Sequence, residues 1–240
     1  MIFYFNQISF EAYITVTWLS GGVCTISNGN VSYTAPNTSG SYTFTVEEEG
    51  TYTATVTVGS YTFTGNVSIT ENGQSKTLAV DCSYKIYNNG TENVPISIGV
   101  AVDYGGTNGS AKKSSYIYFD NQTSNFGTSH SDYCCFIAKT DQTVQTSKYK
   151  SVCCEWSNGG ILRPCIGVRG SAFGTPGWTN PVRDFENYSV ASRSSSGTLK
   201  HDISSITSNK YVAVTFAPGG NVNEGAGKFT SVRLKRIWLE

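Results

Sequence analysis

The chain has 240 residues, enough for one large domain or two modest ones, and its 38% hydrophobic and 13% aromatic content is ample for packed cores. Only 14% of residues are charged, so solubility must come from Ser, Thr, Asn and Gly, and a formal net charge of +0 argues against a general electrostatic hold on nucleic acid. The balance hides an asymmetry: of 17 basic and 17 acidic residues, Lys76 alone stands against Glu11, Glu47, Glu48, Glu49, Glu71 and Asp81 through Cys82, which leaves that part at −5 and the remainder at +5.

The opening MIFYFNQISFEAY has neither a basic n-region nor a long apolar core, and no run approaches the length of a membrane span. The expectation is a protein folded in a cytoplasm, with no membrane insertion. Ala12 to Trp18 predicts a first strand, Gly21-Gly22 turns it, and VCTISNG with NVSYTAP predicts a short pair. From Ser41 to Val80 the pattern predicts an antiparallel meander. Thr51, Thr53, Thr55 and Thr57 alternate with Tyr52, Ala54, Val56 and Val58, and a period of two is a half-buried strand. The alternation resumes after Gly59-Ser60 with Tyr61, Phe63, Val67 and Ile69, and Asn72-Gly73 predicts a type I′ hairpin turn. Short strands with turns at this spacing predict a small β-sandwich over 1–82. Glu47-Glu48-Glu49 reads as a solvated loop tip, because three consecutive carboxylates cannot all face one calcium ion.

Asn88-Asn89-Gly90 breaks the chain just after a boundary placed near Cys82. Strands are then predicted at 94–103, 115–119, 133–139, 149–156, 162–170, 187–193, 198–204, 211–217 and 229–239, with Val232, Leu234 and Trp238 sharing a face of the last. Nothing reads as a helix. The fold class is therefore all-β, with two β-sandwich domains, 1–82 and a larger jelly-roll-like sandwich over 83–240.

Chemistry is sparse. Seven cysteines, an odd number, argue against a complete disulfide framework. The adjacent pairs Cys134-Cys135 and Cys153-Cys154 lack the spacing with which zinc sites bring two thiolates to one ion. In YKSVCCEW, Cys154 shares a face with Val152 and Trp156 and reads as a small core residue. No metal and no cofactor is assigned. The two histidines, His130 and His201, sit in no recognisable catalytic motif, and Asp184 and Glu186 read as solvated loop acids rather than a glycosidase pair. No catalytic residue is assigned.

A binding site is easier to place. The longest loop, Gly170 to Glu186, holds Trp178 with Phe173 and Phe185, and Arg169, Arg183 and Asp184 are close in sequence. A flat ring covers the apolar C–H faces of a sugar while polar side chains bind its hydroxyls. The candidate ligand residues are thus Trp178, Arg169, Arg183 and Asp184; the competing reading has Trp178 folding back to plug one end of the sandwich. Trp18, Trp156 and Trp238 sit in strand patterns and are expected in the core.

The run GTYTATVTVGSYTFTGNVSITENGQSKTLAV resembles the small Ig-like or carboxypeptidase-regulatory-like module in minor structural proteins of phages and prophages from gut Firmicutes. KIYNNG, YKSVCCEWSN, LKHDISSITSNKYVAV and the closing RIWLE resemble the domain that follows it in such proteins. The resemblance implies a virion component of the tail or baseplate, assembled in a host cytoplasm, with other virion subunits and a host-surface glycan as partners. A homo-oligomer is compatible with it. The alternatives are a bacterial carbohydrate-binding module or adhesin and, behind it, a β-sandwich glycan hydrolase.

Overall fold

The structure, a computed structural model, describes residues 9–100, 108–121, 136–157, 162–174, 185–192, 194–218 and 231–240. It is all-β, with no α-helix among the described residues, and it divides into two compact units, Met1–Cys82 and Ser83–Glu240.

Among its described residues the first unit has the strands β1 (Ala12–Thr17), β2 (Val23–Ser27), β3 (Ser32–Thr34), β4 (Ser41–Val46), β5 (Gly50–Val58), β6 (Tyr61–Ile69) and β7 (Ser75–Ala79). They form a sandwich of two sheets, β4-β1-β7 and β3-β2-β5-β6. Along β5 the alternation works as its period demands: Tyr52, Ala54, Val56 and Val58 are buried, while Thr51, Thr53 and Thr57 are exposed. The buried faces carry Ile14, Val16, Phe44 and Val46 on one sheet and Ile26, Tyr52 and Ile69 on the other. Outside, Thr34, Thr25, Thr55 and Thr64 stand in one row across the four-stranded sheet, so hydroxyls rather than charges meet water.

The meander expected over 41–80 is not what forms. β4 pairs with β1, β5 and β6 form a hairpin in the other sheet, and β7 returns to lie parallel to β1. Asn72-Gly73 is therefore a crossover between sheets and not a hairpin turn, because a hairpin can join only antiparallel neighbours. Its residues are held by β1 instead: Asn72 Oδ1 accepts the Glu11 N–H at 2.7 Å, and the Gly73 N–H donates to the Glu11 carbonyl at 2.7 Å. The tight hairpin is at Gly59-Ser60, where Val58 faces Tyr61 and Gly59 has a φ of 62°, as a type II′ turn requires.

The second unit contains β8 (Tyr84–Asn88), β9 (Thr91–Glu92), β10 (Ile96–Val100), β11 (Asn108–Lys112), β12 (Ile117–Asn121), β13 (Phe136–Thr140), β14 (Ser151–Ser157), β15 (Leu162–Arg169), β16 (Asn187–Val190), β17 (Gly197–Asp202), β18 (Tyr211–Pro218) and β19 (Ser231–Leu239). One sheet runs β10-β13-β18-β15-β16; the other runs β11-β12-β19-β14-β17, with β8 also on β19 and β9 on β8. The type I′ geometry sought at Asn72-Gly73 occurs between β8 and β9, where Asn89 (φ 46°) and Gly90 (φ 95°) are both left-handed. A Cβ on Gly90 would stand 2.0 Å from the Ser114 carbonyl oxygen, so only glycine fits. Between the sheets Phe119 meets Phe136 at 5.2 Å and Phe216 at 6.1 Å, and Trp156 meets Phe216 at 6.4 Å.

The face expected for the last strand needs correction. Opposite β14, Glu155 faces Arg236 but Trp156 faces Leu234, so Lys235 is an extra, bulged residue. The bulge changes the phase of β19: Val232, Leu234, Ile237 and Leu239 are buried, and Trp238 is turned to the other face, half-buried rather than in the core. Trp18 and Trp156 are buried as expected, with the Trp18 indole donating to the Gly22 carbonyl at 2.8 Å.

Candidate functional site

The outer face of the five-stranded sheet is built from small residues down its middle. Register places Ser97, Lys139, Ala213, Gly167 and Tyr188 in one row across β10-β13-β18-β15-β16. The next row is Gly99, Ile137, Thr215, Cys165 and Val190. Ile137, Cys165 and Ala213 form a floor on which Phe173 and Phe185 pack, with Val190 and Tyr211 at its margin. The two phenyl rings meet edge to face at 5.1 Å and 63°. Gly167 makes room for this arrangement: a Cβ there would lie 2.6 Å from both Phe185 and Tyr188. The ends of the Gly170–Glu186 connection thus lie on the sheet and cover a second, smaller core.

Polar contacts fasten both ends. Lys139 Nζ donates to the carbonyls of Phe173 at 2.6 Å and Gly174 at 2.9 Å. Glu186 accepts the Gly170 N–H at 2.8 Å and Lys210 Nζ at 2.8 Å. The Lys210 hydrogen bond, the Gly170 N–H and the Arg169 charge together hold its carboxyl below the usual carboxylate range. Beside this ion cluster Tyr188 is 39% exposed, its ring 6.0 Å from Phe185 and tilted by 35°. It is the one large hydrophobic side chain of the second unit that is exposed among the described residues.

Of the four residues picked from the sequence, Arg169 ends β15 opposite Tyr211, half-buried and close enough to Glu186 to act on its charge. Trp178, Arg183 and Asp184 lie outside the described residues. The residues that sequence reasoning did not single out are Tyr188, Lys139 and Lys210. Tyr188 carried a usable signal: it follows directly on the aromatic loop and alternates with the core-facing Ser189 in a short edge strand.

Other reactive groups are packed away. His201 is buried, its Nδ1 2.9 Å from the Ser189 Oγ of the facing sheet, and burial lowers its pKa. Cys24, Cys82, Cys153, Cys154 and Cys165 are buried and form no disulfide. Burial pushes the Cys24 thiol up to about 11 and the Cys153 thiol up to about 12. Among the described residues no group of three or more His, Cys, Asp or Glu side chains is placed to hold a metal ion; Cys134, Cys135 and His130 lie outside them. In the loop cluster Glu186 is the described carboxylate, and its potential partner for acid–base work, Asp184, is outside the described residues. What the cluster offers is a ring face, an ionised carboxylate and two cations within a few residues of each other.

No protein-family model and no curated protein matches the chain. Among solved structures it is similar to a carbohydrate-binding module of the class called CBM4, at a TM-score of 0.37 and 13% identity over 65% of this chain and 94% of that one. It is also similar to a carbohydrate-binding module of promiscuous specificity from the β-sandwich superfamily, at 0.33 and 10% identity over 98% and 99%. A third similarity is to the major pilin subunit of Bacillus cereus, at 0.26 and 9% identity over 94% of this chain and 59% of that one. Likenesses of this size speak to neither ligand nor activity, so the functional argument rests on the site.

Proposed function

We propose that the second unit is a non-catalytic glycan-binding β-sandwich whose site lies on the outer face of β15 and β16, with Tyr188 as the ring on which a sugar stacks. The observation that carries this reading is the exposure of Tyr188 beside Glu186, Lys210 and Arg169. A neutral pyranose presents a C–H face for the ring and equatorial hydroxyls for the carboxylate and the cations. Trp178, Arg183 and Asp184, from the connection whose described ends pack on this face, are proposed for the same site.

Affinity electrophoresis against soluble neutral polysaccharides and purified cell-wall glycans tests it, with the native chain, Tyr188→Ala and Trp178→Ala. Loss of one stacked ring, about 1.4 kcal/mol, should weaken binding about tenfold in Tyr188→Ala. The melting temperature should hardly change, since the ring is already exposed. A native chain that no glycan retards, or a Tyr188→Ala variant retarded equally, would remove the proposal. A large loss of stability in Trp178→Ala would mean that this ring is a plug and not a contact.

The resemblance to phage tail-associated proteins supplies a setting in which such a site would grip a host surface. Support for that setting is the strand-and-turn patches alone, and immunogold labelling of virions with an antibody to this chain tests it.

A further inference from the structure

The outer face of the other sheet holds a second set of aromatic and basic side chains, created by the Lys235 bulge. Register places Lys85, Trp238, Cys153 and Lys200 in one row across β8-β19-β14-β17. The next row is Asn88, Arg236, Glu155 and Thr198, and beyond the bulge stand Tyr118, Arg233 and Ser157. The Arg236 guanidinium lies over the Trp238 ring, 5.2 Å from its centroid, and the Arg233 guanidinium lies over Tyr116 at 4.9 Å. A strip with two Arg–aromatic pairs therefore runs along β19. From Arg233 to Trp238 it spans about 16 Å at strand spacing, the length of a short oligosaccharide.

The acids on this face are engaged. Glu155 pairs with Arg236 and, at 3.8 Å, with Lys235, and Glu240 pairs with Lys200 at 2.5 Å and accepts the Trp238 indole N–H at 3.1 Å. Asp202 stands at one margin, opposite Ser151, and accepts the Ser204 N–H at 2.8 Å. Against them stand Lys85, Lys200, Arg233, Lys235 and Arg236. The Nε of Arg233 is buried and has no hydrogen-bond partner, a donor without an acceptor in a place where one costs stability. The residues beyond Cys82 carry 16 of the 17 basic side chains against 11 acidic ones.

The geometry points to a second ligand-binding face, on β19 with its neighbours β12 and β14, for an acidic glycan: a chain of carboxylate-bearing sugars. The rings of Trp238 and Tyr118 take the sugar faces. The Arg233 guanidinium, stacked on Tyr116, takes a carboxylate, because a planar fork matches a carboxylate in two-point contact, while Arg236, whose Nε and one Nη are already held by Glu155, adds its charge beside it. This face is separate from the one that holds Tyr188, since the two lie on different sheets, and it takes a charged polymer where the other takes neutral sugar.

The test uses the full chain with polygalacturonate as probe, dextran as the neutral control and single-stranded oligo(dT) as the other polyanion class. Polygalacturonate should bind at about 20 mM salt and weaken about tenfold by about 300 mM, because exposed charges are screened. Arg233→Gln and Trp238→Ala should each weaken it about fivefold. Lys235→Glu, which reverses an exposed charge and removes no ring, should do the same without a change in melting temperature, and so covers the case in which Trp238→Ala folds poorly. Lys76→Gln in the first unit should bind like the native chain. The inference is overturned by no binding at low salt, by binding indifferent to salt or to all three variants, or by oligo(dT) binding more tightly with the same losses. Retardation by neutral glycan is measured in parallel with Tyr188→Ala, so either face can fail its test while the other passes.

Discussion

Gly167→Ala probes how the loop is seated on the five-stranded sheet. A Cβ at this position would stand 2.5 Å from the Asn187 carbonyl oxygen and 2.6 Å from both Phe185 Cδ1 and Tyr188 Cβ. A flexible side-chain tip could swing away, but the Asn187 oxygen belongs to the backbone of β16, whose register with β15 runs from Cys165–Val190 to Val168–Asn187. Either the edge strand lifts or Phe185 leaves its place on Ile137, Cys165 and Ala213. Overpacking of a filled site costs about 1–3 kcal/mol, and about 2 kcal/mol should lower the melting temperature of a unit of this size by about 4–8 °C. Tyr188 moves with the strand, so binding of neutral glycan should fall as well. Calorimetry should show the second unit's transition shifted and the first unit's unchanged. Gly174→Ala is the control: nothing lies within 4 Å of the added methyl, and its melting temperature should match the native chain. A Gly167→Ala protein that melts like the native chain would refute the close seating of Phe185 and Tyr188.

Two further predictions concern buried groups. Burial depresses the folded-state pKa of His201, whose Nε2 is buried without a partner, so below the unfolded value of about 6.5 the unfolded chain takes up more protons than the folded one. Stability of the second unit is therefore full well above that value and should decline as pH falls through about 6.5 to about pH 5.5, with a shallower decline in His201→Gln; a flat native profile over that interval argues against it. Five of the seven thiols are buried, so a thiol reagent at about pH 8 should label at most two in the native protein and all seven in denaturant. Labelling of a third thiol in the folded chain would show that one of the five is accessible.

Much of the fold is legible from local pattern. Every residue of Thr51–Val58 lies on the side that its alternation assigns, and Cys154, Val152 and Trp156 are buried together as YKSVCCEW suggests. The site was less legible. Arg169 was singled out because it adjoins the aromatic loop, whereas Tyr188 read as one more strand residue. Its exposure depends on β16 being the sheet edge and on Gly167 beside it, both consequences of pairing between distant segments. Phe173 and Phe185 sit in a run of glycine and polar residues, and nothing local marks them as the cover of a small-residue floor from three other strands.

The sequence by itself determined which residues alternate, hence where strands lie and which side of each can be apolar, because a strand's side-chain period of two is a local property. It also determined that hydroxyls do the work of charges on the surface. Tertiary structure alone decided the partners. It made Asn72-Gly73 a crossover and Asn89-Gly90 the type I′ hairpin, since the same turn residues serve either role until the strands they join are chosen. It also placed a single bulged residue at Lys235, which carried Trp238 from the expected core to the surface strip with Arg236. One extra residue inverts every face that follows it, and only the pairing of β19 with β14 shows where that residue is.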